Sequence, residues 1–294
     1  MKPAAFEYHD PPTIAEACAL LTQLGDEAKV LAGGQSLVPL MNMRLATPRH
    51  LIDLKNVAGL SDIAMSETSV TIGSMARQRQ IELSPAIRRA CPILAEATTH
   101  IAHFQIRQRG TIGGSIAHAD PAAELPLIAL LLDARIVVRA ADRKRSIPAR
   151  DFFVSTFVTA LDESEVIETV VLPRLSSGEG WAFEEFARRH GDFALAGVAA
   201  TVTLTGGRYS GARLAMSGVA ATPVVLPMAE RLLGEEPSRA LYRAVAAAAT
   251  ADLTPESDIH ATGEDRRDIA CHLTEIALAA ATERALHSTD RSAG

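Results

Sequence analysis

The chain has 294 residues, room for two or three domains at ~100–200 residues each. Hydrophobic residues make up 48% and charged residues 22%, enough apolar material for a packed core, which excludes a disordered tail protein. The net charge is −6 and no Lys/Arg run is dense enough to cover a duplex, so nucleic acid is not an expected partner; Arg143-Lys144-Arg145 reads as a solvated turn. The longest apolar stretches, such as Leu125 to Leu132, fall far short of the roughly 20 residues that cross a bilayer. No apolar signal core follows Met1-Lys2-Pro3, so a cytoplasmic protein is expected. Cys18, Cys91 and Cys271 are scattered and form no CxxC, so neither a disulfide framework nor a cysteine-ligated cluster is expected on this chain.

Taken in order, Thr13 to Leu24 carries Ile14, Ala17, Cys18, Leu21 and Leu24 at helical spacing, with Thr13 and Glu16 as a capping box and Gly25 as the stop. Val30-Leu31 reads as a strand running into Ala32-Gly33-Gly34-Gln35-Ser36, and Ser36 should cap a helix from Leu37 with Pro39 in its first turn. Leu51 to Leu54 is a second strand. From Leu60 to about Leu83 the pattern is strand-like, and Ser84-Pro85 opens a helix to about Ala97. A polar, glycine-containing segment covers Gln105 to Ser115, followed by an apolar helix from Glu124 to Leu132 and strands at Ile136–Arg139 and Val166–Leu172. Leu175 to Gly180 is the natural linker. Beyond it, Ala182–Phe186, Ala199–Leu204 and Ala212–Val219 suggest an antiparallel meander with a hairpin at Gly206-Gly207. Helices at Ser238–Thr250 and Arg267–Leu286 close the chain. The expected domains are 1–177, divided near 56, and 178–290.

Two features carry chemistry. Ala32-Gly33-Gly34-Gln35-Ser36 and Thr111-Ile112-Gly113-Gly114-Ser115 each place a glycine pair and a hydroxyl after an apolar stretch, about eighty residues apart. Glycine allows positive φ and close approach of a ligand, and successive N–H groups then point at an anion. The first loop also ends at a helix N-terminus, which favours phosphate. Either loop alone is more often a tight turn than a ligand site; the pair brings one diphosphate held from both sides level with that reading. Neither GxGxxG nor GxxxxGK[ST] occurs, so no Rossmann site or P-loop is indicated.

These segments, with Gln105 to Pro126 and Arg188-Arg189-His190-Gly191-Asp192-Phe193-Ala194-Leu195, closely resemble the medium flavoprotein subunit of molybdenum hydroxylases, over almost the whole chain. That family includes the flavin subunit of aerobic carbon monoxide dehydrogenase and the flavin domain of xanthine dehydrogenase. The resemblance implies an α+β fold with a vanillyl-alcohol-oxidase (PCMH)-type FAD-binding domain of two subdomains. A C-terminal domain with a three-stranded antiparallel sheet would follow. It also implies that residues 32–36 with Leu37, and 111–115 (Thr111, Ile112, Gly113, Gly114 and Ser115), hold the FAD diphosphate and ribityl chain. Glu124 would bond the flavin nucleotide, Ile101 and Ile167 would contact its ring or adenine end, and His118, Asp120, Asp192 and Phe193 would line its pocket. FAD would be non-covalent. Molybdopterin and two iron–sulfur clusters would sit on a large and a small partner subunit, in a dimer of heterotrimers that passes electrons to an external acceptor. The chain departs from many relatives in having Gln35 for His, and from some in having Glu184 for Lys and Phe193 for Tyr or Trp.

Other constellations are incomplete. His100 with His103, and His118 with Asp120, lack further ligands at recognised spacing, so no metal is expected. Gly-x-Ser-x-Gly is absent. Arg107 and Arg109 either neutralise phosphate, face a partner or are simply solvated. Two other classes stay open beside the relay subunit: a self-contained flavin oxidoreductase of the same fold, and a non-catalytic module binding another phosphate ligand.

Overall fold

The computed structural model describes residues 2–292, with side chains to 287. The first layer is a small parallel sheet. It comprises β1 (Glu7–His9), α1 (Ile14–Leu24), β2 (Ala28–Leu31), α2 (Leu37–Asn42) and β3 (His50–Asp53), in strand order β1-β3-β2. The Thr13 hydroxyl accepts from the Glu16 N–H, as the capping pattern requires, and Gly25 ends α1 at φ +55°. Ala17, Cys18 and Leu21 of α1 bury against Ile52 of the central strand.

The second layer is an antiparallel sheet of order β4-β5-β10-β6-β7, built from β4 (Ile63–Met65), β5 (Ser69–Gly73), β6 (Arg135–Arg139), β7 (Lys144–Pro148) and β10 (Val166–Pro173). Between β5 and β6 run α3 (Gln78–Leu83), α4 (Pro85–Ala90), α5 (Pro92–His100), α6 (Phe104–Arg107), α7 (Ile112–His118) and α8 (Glu124–Leu131). After β7 come α9 (Ala149–Phe152) and the hairpin β8 (Phe153–Ser155) and β9 (Val158–Thr159). α8 is apolar on all sides and buried at almost every position, which makes it the pillar of the largest core.

Several expectations fail here for identifiable reasons. The helix expected over Ser84–Ala97 is broken at Cys91, because Pro92 disfavours helical backbone before it and Cys91 sits at φ −148°, ψ 67°. The strand-like stretch ends in a helix, α3, that buries Gln78 and Glu82 beside Ile81, so its buried face is not apolar. The 105–115 segment is mostly two short helices. Arg143-Lys144-Arg145 is no solvated turn: Lys144 opens β7, and both arginines grip the Glu165 carboxylate, Arg145 through contacts of 2.8 and 2.7 Å. The bonds from Arg145 hold Glu165 down at about 2.

The third layer is the meander β11 (Gly180–Phe186), β12 (Ala196–Thr205), β13 (Arg208–Ser217) and β14 (Val224–Val225), covered by α10 (Arg239–Thr250) and α11 (Gly263–Ser292). The β12–β13 hairpin turns at Gly206 and Gly207, φ +60° and +79°, the left-handed pair that matches strand twist. The sheet has a fourth, two-residue edge strand beyond the three expected. The last helix starts four residues before Arg267 and runs for 30 residues, its start fixed by Thr262, whose N–H and hydroxyl both bond Asp265.

Candidate functional site

A cleft of about 480 Å³ opens at the carboxyl ends of β2 and β3, where open α/β sheets characteristically bind ligands. The loop from Ala32 to Gln35 forms one wall. Among the described residues, the N–H groups of Gly33, Gly34, Gln35 and Ser36 find no acceptor, so four consecutive donors stand free at the foot of α2. Gly34 sits at φ +74°, and the Gln35 side chain braces the turn by donating to the Gly33 carbonyl at 2.9 Å. Ser36 does not cap α2 as expected; its hydroxyl makes no bond to the helix, and neither Ser36 nor Leu37 lines the cleft.

The second glycine segment is a different object. Thr111 caps α7, and its hydroxyl accepts from the Gly114 N–H at 3.0 Å. Gly113 donates to the Ser74 carbonyl at 2.8 Å and Ser115 to the Thr111 carbonyl at 3.1 Å. Its backbone amides are therefore already engaged within the protein. Nor does glycine serve positive φ here: of the four glycines in the two pairs, Gly34 alone has it. The others answer to crowding. A Cβ on Gly33 would overlap the Arg109 carbonyl and lie 2.8 Å from the Gly110 Cα, one on Gly113 would overlap Ser74, and one on Gly114 would lie 2.9 Å from the Thr111 Oγ1 and in ordinary contact, 3.4 Å, with the Ala32 Cβ. The two segments thus adjoin at Ala32 and Gly114, although no residue of 111–115 lines the cleft.

The opposite wall is charged. Lys55 donates to the Tyr8 hydroxyl at 2.5 Å, and that hydroxyl donates to Asp53 at 2.6 Å. Arg77 donates to the Arg109 carbonyl, and burial together with the Arg109 charge lowers its pKa. Lys55, Arg77 and Arg109 all line the cleft and give it the positive character a phosphate seeks. Sequence reading missed Tyr8, Asp53, Lys55 and Arg77. The strand-end rule applied to β3 would have found Asp53 and Lys55. Arg107, by contrast, is buried and structural, donating to Glu82 at 2.9 Å and to the Ile101 carbonyl at 2.7 Å.

The remaining candidates gather at the seam between the second and third layers. Glu124 heads α8, where burial, with repulsion from Glu185 second, pushes its carboxyl up to about 8. His100 Nδ1 lies 3.4 Å from Glu185 Oε1, and that bond raises the imidazole; Glu185 Oε2 is buried without a partner. Glu184 is half-buried and its carboxyl is raised by desolvation. The turn carrying Asp192 and Phe193 packs Gly191, at φ +88°, onto the His103 ring; Asp192 pairs with Arg188 at 3.5 Å and Phe193 is 67% exposed. His118 stacks on Phe157, and Asp120 accepts from the Ala122 N–H. Ile101 and Ile167 are core residues, away from the cleft lining.

Comparison with known proteins agrees with this geometry. Residues 4–175 match the family described as the FAD binding domain in molybdopterin dehydrogenase, and residues 181–281 match the CO dehydrogenase flavoprotein C-terminal domain. The chain is 42% identical, over 97% of both lengths, to the 6-hydroxypseudooxynicotine dehydrogenase complex subunit alpha of Paenarthrobacter nicotinovorans. It is 39% identical to the carbon monoxide dehydrogenase medium chain of Hydrogenophaga pseudoflava, over 97% of this chain and 99% of that one. A solved carbon monoxide dehydrogenase structure from that organism superposes with a TM-score of 0.94 at 40% identity, covering 97% of this chain and 99% of the other. The free amides, the crowded glycines and the basic wall fit a dinucleotide diphosphate, and the chain belongs to the family of FAD-binding medium subunits of molybdopterin-dependent oxidoreductases.

Proposed function

We propose that this chain is the FAD-carrying electron-transfer subunit of a heterotrimeric molybdenum hydroxylase. Its partners are a large molybdopterin subunit and a small subunit with two iron–sulfur clusters. The observation that carries its own part is the row of four unbonded N–H groups, Gly33 to Ser36, on a loop that lines one cleft together with Lys55, Arg77 and Arg109. FAD, held without a covalent bond, supplies the chemistry of accepting single electrons and handing them on as a pair. The chain's residues hold and surround it. The 33–36 amides and the Ser36 hydroxyl take the diphosphate, the N-terminal end of α7 with the Ser115 hydroxyl backs them, and Ala32 and Leu37 shape the turn. Glu124, His118, Asp120, Asp192 and Phe193 surround the flavin end, with Ile101 and Ile167 behind them. Glu124 and His100, both raised, hold protons at that seam. The three unpaired cysteines suit a reducing compartment, and we place the complex in the cytoplasm, as a dimer of heterotrimers.

The test uses the purified chain and the restored complex. Dithionite should reduce the bound flavin of the lone subunit and an artificial acceptor should reoxidise it. Aldehydes, aromatic heterocycles and carbon monoxide should leave it oxidised until the large and small subunits are added. Rapid bleaching of the lone subunit by an organic donor would make it a self-contained oxidoreductase instead. A purified chain that retains no flavin would make it a module for another phosphate ligand.

A further inference from the structure

At the edge of the parallel sheet, three metal-ligating side chains meet that the sequence keeps apart. Glu7 and His9 stand two residues apart on β1, hence on one face, and the parallel register sets Glu7 opposite His50 on β3. His9 Nε2 lies 3.1 Å from His50 Nδ1, and His50 Nδ1 lies 3.5 Å from Glu7 Oε2. All three ligand atoms fall within 4.8 Å of one another. A tetrahedral zinc ion with bonds of about 2.0–2.1 Å spaces its ligands about 3.3–3.4 Å apart, a value the two measured separations bracket. The site is partly preorganised: the His50 side chain is only 15% exposed, while the Glu7 carboxylate, at 76%, is free to swing in.

Two imidazoles and one carboxylate select a borderline first-row transition cation over magnesium or calcium, which prefer all-oxygen sets. None of the three residues lines the cofactor cleft. Tyr8, between Glu7 and His9, turns to the opposite face and bonds Asp53 on the cleft wall. We propose that Glu7, His9 and His50 form a binding site for a divalent cation of the zinc type, with water completing the tetrahedron. The ion cross-links the three-residue edge strand β1 to the central strand β3 behind the cleft. Each imidazole offers a lone pair from the nitrogen facing the ion and keeps its proton on the other.

The experiment uses the flavin-loaded chain without a polyhistidine tag, stripped with chelator and dialysed, and titrated with zinc chloride by calorimetry and by thermal melting. The wild type should bind one saturable equivalent more than the double variant His9→Ala/His50→Ala, with a rise in melting temperature that the double variant lacks and with equal flavin content. Glu7→Gln should weaken that equivalent by about tenfold or more, since one of three protein bonds is lost. Excess magnesium should not displace the zinc. A wild type without saturable binding, or a double variant titrating like the wild type, would show the cluster to be only a hydrogen-bonded histidine pair. Displacement by magnesium would refute the assigned cation class.

Discussion

The two glycine pairs look interchangeable in sequence and are opposites in the fold. At 33–36 Gly34 takes a left-handed conformation and four consecutive N–H donors stay free. At 111–115 the chain is already helical, its cap is made by Thr111, and Gly113 and Gly114 are small because Ser74 and the Thr111 hydroxyl press against them. One pair leaves its amides free; the other has them bonded within the protein and is small because its surroundings are tight. A glycine pair alone therefore does not identify which of these tasks it performs.

Substitutions can break or sharpen that contrast. The largest effect is expected from Gly113→Val, which forces a branched side chain into Ser74 and its carbonyl; overpacking of this kind costs about 3 kcal/mol, and the melting temperature of the flavin-free chain should fall by roughly 6–12 °C. Should melting be unchanged, the crowding argument is wrong. Gly34→Val comes next. Left-handed backbone costs a side chain about 1–2 kcal/mol, so the amide row should rotate away and the flavin-to-protein ratio collapse while circular dichroism stays near normal. Full flavin content in this variant would reduce the loop to a mere turn. Thr111→Ala removes a helix cap and should destabilise by about 1 kcal/mol, read in a denaturant melt. Ser36→Ala, at a helix end where no capping bond exists, should shift stability by less than about 0.5 kcal/mol and show itself only as weaker flavin retention on dialysis.

How much of this was legible in the sequence depended on whether the cause was local. The capping box of α1, the Gly25 stop and the Gly206-Gly207 hairpin are decided by neighbours in the chain, and they stand where the pattern puts them. α3 was hidden because it buries Gln78 and Glu82, and the reason they can be buried lies elsewhere: Arg107 and Arg79 neutralise Glu82. β7 was hidden because its charges read as solvent-loving until Glu165, twenty residues on, is seen to hold Arg145. The same rule divides the site. Both glycine pairs could be located directly, but not that the second is helical with its amides engaged, and Tyr8, Asp53, Lys55 and Arg77 converge only when strand order and register are known.

The buried carboxyl at the head of α8 makes the proton a ligand of the folded protein. In the unfolded chain Glu124 would lose its proton near 4.5, but in the fold it keeps it until about 8. Between those values the native state binds more protons than the unfolded one, so each step up in pH favours unfolding. His100, raised by its bond to Glu185, has the same sign: its contribution is complete below its ordinary value of 6.5 and is lost as pH rises through the raised one. Glu165, held near 2, has the opposite sign: its contribution is complete above about 4.5 and is lost as pH falls through about 2. The seam between the second and third layers should therefore loosen under alkaline conditions, and acid should first attack the Arg145–Glu165 grip on β7. Protection of the α8 amides against hydrogen exchange, after correction for the intrinsic rate, should fall from pH 6 to pH 9 more steeply than that of α1.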